Sequence, residues 1–209
     1  MVKIFYNNFM RKIFIILLVL GVLVWWLRPS APEIKNVHNA FGPVVVFGDS
    51  LTAGTGAGRE KSYPALLGRK ISRPVINMGL PGDTAAAAPA RLAQVLEQRP
   101  YMVLIEFGGN DFMRGVPITQ TEAAVRQMVD DVQAAGAVAV VVDTGGYAGM
   151  RPYTKIYKQI AAEKGAVFVP GILDGIFTKN KFKADPIHPN AAGYEVVAER
   201  VHKAIQPYL

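Results

Sequence analysis

The stretch Val44-Val45-Val46-Phe47-Gly48-Asp49-Ser50-Leu51 is a short apolar run that ends in a Gly-Asp-Ser turn. A continuous run of β-branched and aromatic residues is typical of a parallel strand that is buried on both faces. Ligand sites in parallel sheets lie just beyond the carboxyl ends of the strands. Ser50 therefore stands where a nucleophile could act, although a lone serine in a turn is more commonly a helix cap.

Four more apolar runs follow along the chain and alternate with helical patterns. The predicted strands are Val44–Phe47, Val75–Met78, Met102–Phe107, Val138–Val142 and Val167–Val169. The predicted helices are Tyr63–Lys70, Ala85–Gln98, Thr121–Ala135, Pro152–Lys164 and Ala191–Gln206. Strands that alternate with helices predict a parallel sheet with right-handed crossovers. The predicted fold class is therefore α/β, as a three-layer α/β/α sandwich.

The positive charge of the chain is concentrated at its amino-terminal end. The 209 residues carry a formal net charge of +7, and the first acidic residue is Glu33. Four positive charges precede it, on Lys3, Arg11, Lys12 and Arg28, which leaves about +3 for the rest. Because no basic run interleaved with aromatic residues occurs there, we predict no nucleic-acid partner. The chain is 51% hydrophobic, which with this length predicts the core of a single domain.

Few side chains of this protein can carry covalent or acid-base chemistry. Cysteine is absent, which excludes a disulfide framework, a thiolate nucleophile and a zinc site that contains cysteine. The histidines are His38, His188 and His202, and the serines are Ser30, Ser50, Ser62 and Ser72. A mechanism that needs an imidazole therefore has three candidates.

Residues Ile13 to Leu27 form an uncharged, nearly all-aliphatic run that follows Arg11 and Lys12. At about 1.5 Å per residue the run spans roughly 22 Å, short of the ~30 Å hydrocarbon core, so its length also suits a signal-peptide core. The paired tryptophans Trp25 and Trp26 suit the headgroup interface, and flanking basic side chains can extend a short span. No A-x-A cleavage pattern follows. We predict an uncleaved signal anchor at residues 1–28.

The predicted anchor sets the expected location of the remaining chain. Basic residues on its amino side predict that this end is cytoplasmic and that everything after Arg28 lies outside, in the periplasm of a two-membrane bacterium. We expect an inner-membrane anchored protein, with secretion after signal-peptide cleavage as the alternative. The prolines, asparagines and Gly42 in residues 29–42 predict a linker, and residues 43–209 form the predicted globular domain.

The segment Asp185-Pro186-Ile187-His188-Pro189-Asn190 places a carboxylate three residues before an imidazole. Nucleophilic serine catalysis needs a base within hydrogen-bond reach and a carboxylate that fixes the tautomer of that base. Residues three apart can lie on the same side of one turn, so Asp185 could bind one nitrogen of His188 while the other faces Ser50. Asp174 is an alternative carboxylate without a neighbouring histidine, and His202 lies inside the last predicted helix.

Two further strand ends supply candidate donors for a developing oxyanion. The segment Asn77–Asp83 follows the second predicted strand and contains Gly79, and Gly108-Gly109-Asn110-Asp111 follows the third. A glycine lets a backbone N–H approach a ligand closely, and the side chain of Asn110 adds an uncharged amide donor. Each segment alone is more often a simple turn.

Taken together, four segments resemble conserved blocks I, II, III and V of the SGNH, or GDSL, hydrolases. These segments are Gly48-Asp49-Ser50-Leu51, Gly79, Gly108-Gly109-Asn110-Asp111 and Asp185-Pro186-Ile187-His188-Pro189. The sequences around Ser50, Asp83 and Asn110 are similar to those of the bacterial thioesterase/lysophospholipase and arylesterase branch of these hydrolases. The resemblance covers about Pro43 to Leu209, and the chain shows no Gly-x-Ser-x-Gly elbow of the ordinary α/β-hydrolases.

The resemblance implies a specific site and reaction. Ser50 would be the nucleophile, His188 the general base and Asp185 its orienting partner. The oxyanion donors would be the backbone N–H groups of Ser50 and Gly79 and the side-chain amide of Asn110. The family acts on esters or thioesters through an acyl-enzyme without a metal or other cofactor. It also implies a flavodoxin-like five-stranded sheet with the strand order 2-1-3-4-5.

The loops after the third and fourth predicted strands are apolar, which bears on the substrate. Phe112, Met113, Thr144 and Ile187 are candidate substrate-binding residues, since loops at strand carboxyl ends determine specificity in this fold class. These residues favour lipid-like acyl esters as small-molecule substrates. The amino-terminal helix would bind the membrane and so bring the enzyme close to such lipids. A cell-envelope carbohydrate O-acetyl esterase or acyltransferase with the same residues is the alternative, and a non-catalytic tethered binding module is a third possibility. The oligomeric state stays open.

Structural roles are expected for several polar neighbours of these segments. The carboxylate of Asp49 should hold its turn by accepting backbone N–H groups, and Asp83 with Thr84 should cap a helix. Glu106 lies inside an apolar strand, and because a buried carboxylate must be paired, we expect a partner such as an arginine. Asp111 should brace the loop that presents Asn110.

Overall fold

A computed structural model of the chain describes residues 13–20, 23, 33–38 and 41–209. The chain divides into two units, Met1–Ala31 and Pro32–Leu209. The second unit contains one sheet of five parallel strands: β1 (Val44–Gly48), β2 (Val75–Gly79), β3 (Met102–Glu106), β4 (Val138–Val142) and β5 (Val167–Val169). The strand order is β2-β1-β3-β4-β5. The predicted α/β class, the five strands and the strand order 2-1-3-4-5 are confirmed.

The register of the sheet brings the predicted site segments to one edge. Gly48, the last residue of β1, pairs with Gly79 of β2 on one side and with Glu106 of β3 on the other. Glu106 in turn pairs with Val142, the last residue of β4. These four strands therefore end at neighbouring positions, and the loops that follow them meet at the carboxyl edge of the sheet.

Seven α-helices connect and cover the strands of the second unit within the described residues. They are α1 (Ser50–Ala53), α2 (Tyr63–Gly68), α3 (Leu92–Leu96), α4 (Gly109–Met113), α5 (Ile118–Ala134), α6 (Arg151–Lys164) and α7 (Ala191–Ile205). Short 3₁₀ helices cover Arg59–Lys61, Ala88–Arg91, Ala148–Met150, Asn180–Phe182 and Gln206–Tyr208. Side-chain caps begin α2 and α7, where Ser62 accepts from Ala65 N and Asn190 accepts from Gly193 N. Helix α5 begins three residues earlier than predicted, directly after Pro117.

Alternate residues of the strands contribute to two cores, one on each face of the sheet. One core is built from strand residues such as Val45 and Phe47 together with α5 and α6. The other is built from strand residues such as Val44 and Val46 together with α2 and α7. Because both faces are covered by helices, the central strands β1, β3 and β4 are fully buried, and their sequences are almost continuously apolar. The edge strand β2 is only partly buried.

The predicted helix Ala85–Gln98 is wrong in extent. Residues 85–87 form a turn, Ala88–Arg91 is a 3₁₀ helix, and only Leu92–Leu96 is α-helical. Pro89 has no N–H to donate to an α-helical ladder. The N–H groups of Ala85 and Ala86 donate instead to the carboxylate of Asp111, at 2.8 and 3.3 Å. A side chain from another loop therefore replaces the first helical turn.

The first unit, Met1–Ala31, contains the whole of the predicted anchor. Residues 13–20 and 23 are helical and exposed, whereas the other residues of the predicted anchor at 1–28 lie outside the described part of the chain. Within the residues that are described, no helix is both long and apolar enough to cross a membrane.

Residues 33–38, part of the predicted linker, contact the domain. Lys35 N donates to Gly165 O at 3.0 Å. The side-chain amide of Asn36 donates to Gln133 O and Ala137 O at 2.9 and 3.0 Å. Ile34 and Val37 are partly buried against the core that contains Val44 and Val46. These residues belong to the same unit as the sheet.

Candidate active site

The turn after β1 presents Ser50 at the carboxyl edge of the sheet. Asp49 caps the four-residue helix α1, because its Oδ1 accepts from Leu51 N at 2.9 Å. The prediction that the Asp49 carboxylate holds this turn is thereby confirmed. Ser50 is the first residue of α1, where a backbone N–H has no acceptor within the helix. Both the hydroxyl and the N–H of Ser50 are thus available at the end of the strand.

The loop before α7 holds His188 against Ser50. The Nε2 atom of His188 lies 3.1 Å from Ser50 Oγ, and its Nδ1 lies 2.8 Å from Asp185 Oδ2. Asp185 Oδ1 also accepts from the backbone N–H groups of Ile187 and His188, at 2.9 and 2.8 Å. The structure therefore brings the three predicted residues Ser50, His188 and Asp185 into one hydrogen-bonded chain.

The ionisation of Asp185 fixes the tautomer of His188. Desolvation opposes the charge, but the hydrogen bonds from Ile187 N–H and from His188 outweigh it and lower the pKa of Asp185. An ionised carboxylate can only accept hydrogen bonds, so His188 Nδ1 carries a proton. The lone pair on Nε2 then accepts from the Ser50 hydroxyl, which is the arrangement that a general base requires.

Neighbouring loops hold this histidine segment in place. Ala184 N donates to His188 O at 2.9 Å, and the hydroxyl of Tyr147 donates to Pro186 O at 2.6 Å. The ring of Tyr147 also stacks on Phe177, with 5.1 Å between centroids. Asp174, the alternative carboxylate, accepts from Gly146 N at 2.9 Å and supports the same loop as Tyr147.

The three predicted oxyanion donors differ in their surroundings. The Asn110 amide donates to Asp49 Oδ2 at 3.0 Å and to Asp83 O at 2.9 Å. Gly79 N donates to Asn77 Oδ1 at 3.0 Å, and Gly79 does not line the cavity at Ser50 within the described residues. Asn110 and Ser50 do line that cavity. To donate to an oxyanion at Ser50, Gly79 N–H and the Asn110 amide would therefore have to exchange acceptors that the protein now supplies.

A cavity of about 200 Å³ opens at Ser50 and His188. Four candidate substrate-binding residues of the sequence line it: Phe112, Met113, Thr144 and Ile187. The sequence interpretation missed Leu173, which lies in the loop after β5 and could have been found by the same strand-end argument. The Thr144 hydroxyl is buried and has no hydrogen-bond partner among the described residues. The rest of the wall is mostly apolar, which suits an acyl chain.

Glu106 has a structural partner, as predicted, but the partner is Thr52 and not an arginine. Its Oε2 accepts from Thr52 Oγ1 at 2.8 Å, and Thr52 Oγ1 lies 2.9 Å from the hydroxyl of Tyr63. Burial, reinforced by the nearby charge of Asp49, raises the pKa of Glu106 well above its usual range. The protonated form is thereby favoured, and a neutral carboxyl group needs no counter-ion.

Asp49 is the second buried carboxyl group beneath Ser50. Burial raises its pKa to about 6, against the hydrogen bonds from Leu51 N–H and Asn110 and the charge of His188. Its Oδ1 holds the α1 cap and its Oδ2 accepts from Asn110. One carboxyl group therefore joins the serine turn to the asparagine that follows β3.

The predicted helix cap at Asp83 and Thr84 is wrong, because the helices that follow have no side-chain cap, whereas the bracing role predicted for Asp111 is confirmed. Thr84 Oγ1 accepts from Ala87 N at 3.2 Å and so caps the turn that precedes the 3₁₀ helix. Asp83 forms an ion pair with Arg91. Asp111 accepts from Ala85 N and from the hydroxyl of Thr121, at 2.8 and 3.0 Å. These bonds brace the loop around Asn110.

No group of three or more histidine, aspartate or glutamate side chains is placed to hold a metal ion in the part of the chain that the structure describes. The absence of a cofactor stays a prediction.

Comparisons with known proteins identify the class of this fold and site. Residues 46–196, more than half of the chain, match the GDSL-like Lipase/Acylhydrolase family. The chain belongs to this family of hydrolases. The resemblance to SGNH/GDSL hydrolases, and with it the prediction of an enzyme, is confirmed.

Individual relatives cover most of the chain. Thioesterase 1/protease 1/lysophospholipase L1 of Escherichia coli (strain K12) is 33% identical over an alignment of 173 residues, and the match covers 78% of this chain and 83% of the relative. Esterase TesA of Pseudomonas aeruginosa is 30% identical over an alignment of 178 residues, and the match covers 79% of this chain and 89% of the relative. The crystal structure of the psychrotrophic esterase EstA from Pseudoalteromonas sp., inhibited by monoethylphosphonate, has a TM-score of 0.72 and 26% identity, and covers 80% of this chain and 98% of its own.

Proposed function

We propose that this protein is a serine esterase that hydrolyses carboxylic esters or thioesters through an acyl-enzyme on Ser50. The observation that carries the proposal is the 3.1 Å separation of His188 Nε2 and Ser50 Oγ, with His188 Nδ1 at 2.8 Å from Asp185. The names of the relatives, thioesterase, lysophospholipase and esterase, support the same reaction class.

The reaction follows from the hydrogen-bonded chain. His188 Nε2 takes the proton of the Ser50 hydroxyl as Oγ bonds to the acyl carbon, and Asp185 stabilises the imidazolium. The bond from the acyl carbon to the leaving oxygen or sulfur then breaks, and His188 gives the proton to that atom. Water repeats the sequence on the acyl-enzyme, which releases the acid and restores Ser50.

Three donors would stabilise the oxyanion: the N–H groups of Ser50 and Gly79 and the amide of Asn110. Asn110 is held 2.9 Å from Asp83 O and 3.0 Å from Asp49 Oδ2, so its position is set before substrate binds. Both N–H groups of the amide are used in these two bonds, so Asn110 would have to give up one of them to donate to the oxyanion. Gly79 N–H would have to exchange its bond to Asn77 for one to the oxyanion.

The substrate that the cavity supports best is a lipid-like acyl ester. Its lining includes Leu51, Phe112, Met113, Met150 and Leu173, and apolar walls favour an acyl chain over an acetyl group. We expect medium-chain p-nitrophenyl esters to react with a higher kcat/KM than the acetate. Equal or faster turnover of the acetate would instead favour the alternative O-acetyl esterase.

Substitution of the nucleophile tests the proposal. We expect Ser50→Ala to reduce p-nitrophenyl ester hydrolysis by the full chain about 10³-fold or more, because no other group replaces the hydroxyl. Ser72→Ala, at an exposed serine, is the matched control and should retain full activity. Activity of Ser50→Ala equal to that of the control would reject the mechanism.

We also propose that residues 1–28 anchor the enzyme at the inner membrane with the catalytic domain in the periplasm or outside the cell. The uncharged run from Ile13 to Leu27 and the preceding Arg11 and Lys12 support this proposal. After cell fractionation, the full chain should remain in membranes washed with alkaline carbonate, and protease added to spheroplasts should digest residues 43–209. Release by the wash, or protection from protease, would contradict it.

A further inference from the structure

Exposed apolar side chains are concentrated around the mouth of the cavity at Ser50. Between residues 41 and 209, seven large hydrophobic residues are exposed: Phe41, Leu80, Phe112, Met113, Tyr147, Ile187 and Leu209. Four of the seven line the one cavity that contains Ser50 and His188. These four, Phe112, Met113, Tyr147 and Ile187, are 42%, 54%, 41% and 39% exposed and form what we call the apolar rim. Such a cluster marks an interaction surface.

Leu80 extends the rim along the carboxyl edge of the sheet. It follows Gly79, and its N–H donates to Gly48 O at 3.0 Å, directly before the Asp49–Ser50 turn. Leu80 is 46% exposed and does not line the cavity within the described residues. A substrate held inside the cavity would therefore not cover the side chain of Leu80.

Exposed basic residues occur in the segments that carry the apolar rim or lead to them. Arg114 follows Met113, and its guanidinium lies beside Gly82, in the turn that begins at Leu80. Lys179 and Lys181 are exposed in the segment that leads to the His188 loop, which is joined to it by the bridge between Lys183 and Pro189. The exposed acids on these loops are Asp174 and Asp185, and both accept hydrogen bonds from their own surroundings.

We propose that the apolar rim and Leu80 dock on an anionic lipid surface and admit acyl esters from it directly to Ser50. The inference deepens the proposed function and rests on it. A docked protein or a second copy of this chain would cover the cavity, whereas a lipid surface supplies the substrate through the same contact. Apolar side chains that enter the headgroup region, with cations beside them, are the features that such a surface binds.

The absence of cysteine allows a direct test. Single cysteines at Leu80, Met113 and Ile187 of the full-length Ser50→Ala protein would each carry a polarity-sensitive NBD fluorophore. Matched labels at Gln98 and Lys158, exposed positions away from the carboxyl edge, serve as controls. Vesicles of phosphatidylcholine with phosphatidylglycerol are the probe, and brominated acyl chains are the quencher. The Ser50→Ala background prevents hydrolysis during the measurement.

The expected result is a blue shift and quenching by brominated lipid at the three edge positions, with neither at Gln98 or Lys158. The shift should be smaller with phosphatidylcholine alone. Labels at the edge that stay in water, labels that all respond equally, or shifts that arise without vesicles as protein concentration rises would each overturn the proposal. Equal shifts in phosphatidylcholine alone would overturn its anionic part. None of these outcomes depends on hydrolysis, so a failure here is distinct from loss of Ser50-dependent esterase activity.

Discussion

Asp49 is the residue that joins the nucleophile turn to the candidate oxyanion amide. Its Oδ1 accepts from Leu51 N and its Oδ2 accepts from Asn110, although the side chain is buried and its pKa is raised to about 6. A carboxyl group that is costly to ionise in this place is typical of a functional site. The hydrogen bonds from Leu51 N–H and Asn110 stabilise the ionised form and so limit the rise in pKa that burial causes.

The raised pKa of Asp49 predicts a pH-dependent contribution to stability. The folded protein binds this proton more tightly than the unfolded chain, so the contribution is present below pH 3.8 and is lost as the pH rises through about 6. The change corresponds to about 3 kcal/mol. Asp49→Asn does not titrate, so its free energy of unfolding relative to wild type should rise by up to about 3 kcal/mol from pH 4 to pH 7. Urea unfolding at both pH values measures this, and a difference independent of pH would contradict it.

Single residues were predictable where chemistry restricts the residue type. The chain has four serines and three histidines, and the three-residue spacing of Asp185 and His188 by itself indicated their contact. Glu106 was not predictable in the same way. Its burial followed from the strand pattern, but its contact, Thr52, lies 54 residues earlier on α1. Because the burial favours protonation, the expected cationic partner was unnecessary.

At the level of secondary structure, α1 and β2 approach each other too closely for a side chain at Gly79. A Cβ there would collide with the backbone nitrogen of Ala53 and lie 2.7 Å from the carbonyl carbon of Thr52. Backbone atoms of α1 cannot rotate away as a side chain could. This contact holds the helix that carries Ser50 against the neighbouring strand.

Gly79→Ala should therefore destabilise the protein by about 2 kcal/mol or more and reduce ester hydrolysis, since α1 must shift. Gly68→Ala is the matched control, because a Cβ at the end of α2 meets Val75 only at an ordinary 3.5 Å. The control should be neutral or slightly stabilising, since alanine favours a helix over glycine. Thermal unfolding of both variants measures the difference, and equal melting temperatures would reject the argument.

The loop after β4 supports the loop that carries the base. The Tyr147 hydroxyl donates to Pro186 O at 2.6 Å, between Asp185 and His188 in sequence. Tyr147→Phe retains the stacking on Phe177 and removes this bond, which is worth about 1 kcal/mol. We expect kcat/KM for a soluble p-nitrophenyl ester to fall about fivefold, mostly through kcat. An unchanged kcat with a raised KM would show that Tyr147 acts on substrate binding and not on the base.

The helix predicted over Ala85–Gln98 shows where local patterns are insufficient. Alanines favour a helix, and the sequence around them gives no sign that Asp111 accepts from Ala85 and Ala86. A contact between segments 25 and 26 residues apart overrides the local preference. Strands were predicted more closely because burial on both faces demands continuous apolar residues.

For the whole molecule, the parallel topology explains how distant segments form one site. Ser50, Asn110 and Thr144 follow β1, β3 and β4, so a sheet with the order 2-1-3-4-5 brings them to the same edge. The family resemblance supplied the strand order, and the alternation of strands and helices supplied the sheet. Contacts between loops, such as that of Tyr147 with Pro186, have no periodic pattern in the sequence and required the structure.

Reaction of the full chain with a p-nitrophenyl alkylphosphonate tests the central claim most directly. The related esterase EstA is inhibited by monoethylphosphonate, which makes the reagent class suitable. Ser50 Oγ should bond to phosphorus as p-nitrophenolate leaves and His188 takes the hydroxyl proton. Mass spectrometry should find one phosphonyl group, on the peptide that contains Ser50, in wild type and Ser72→Ala but not in Ser50→Ala. A label on another residue, or an unlabelled wild-type protein that still hydrolyses esters, would contradict the assignment of Ser50 as the nucleophile.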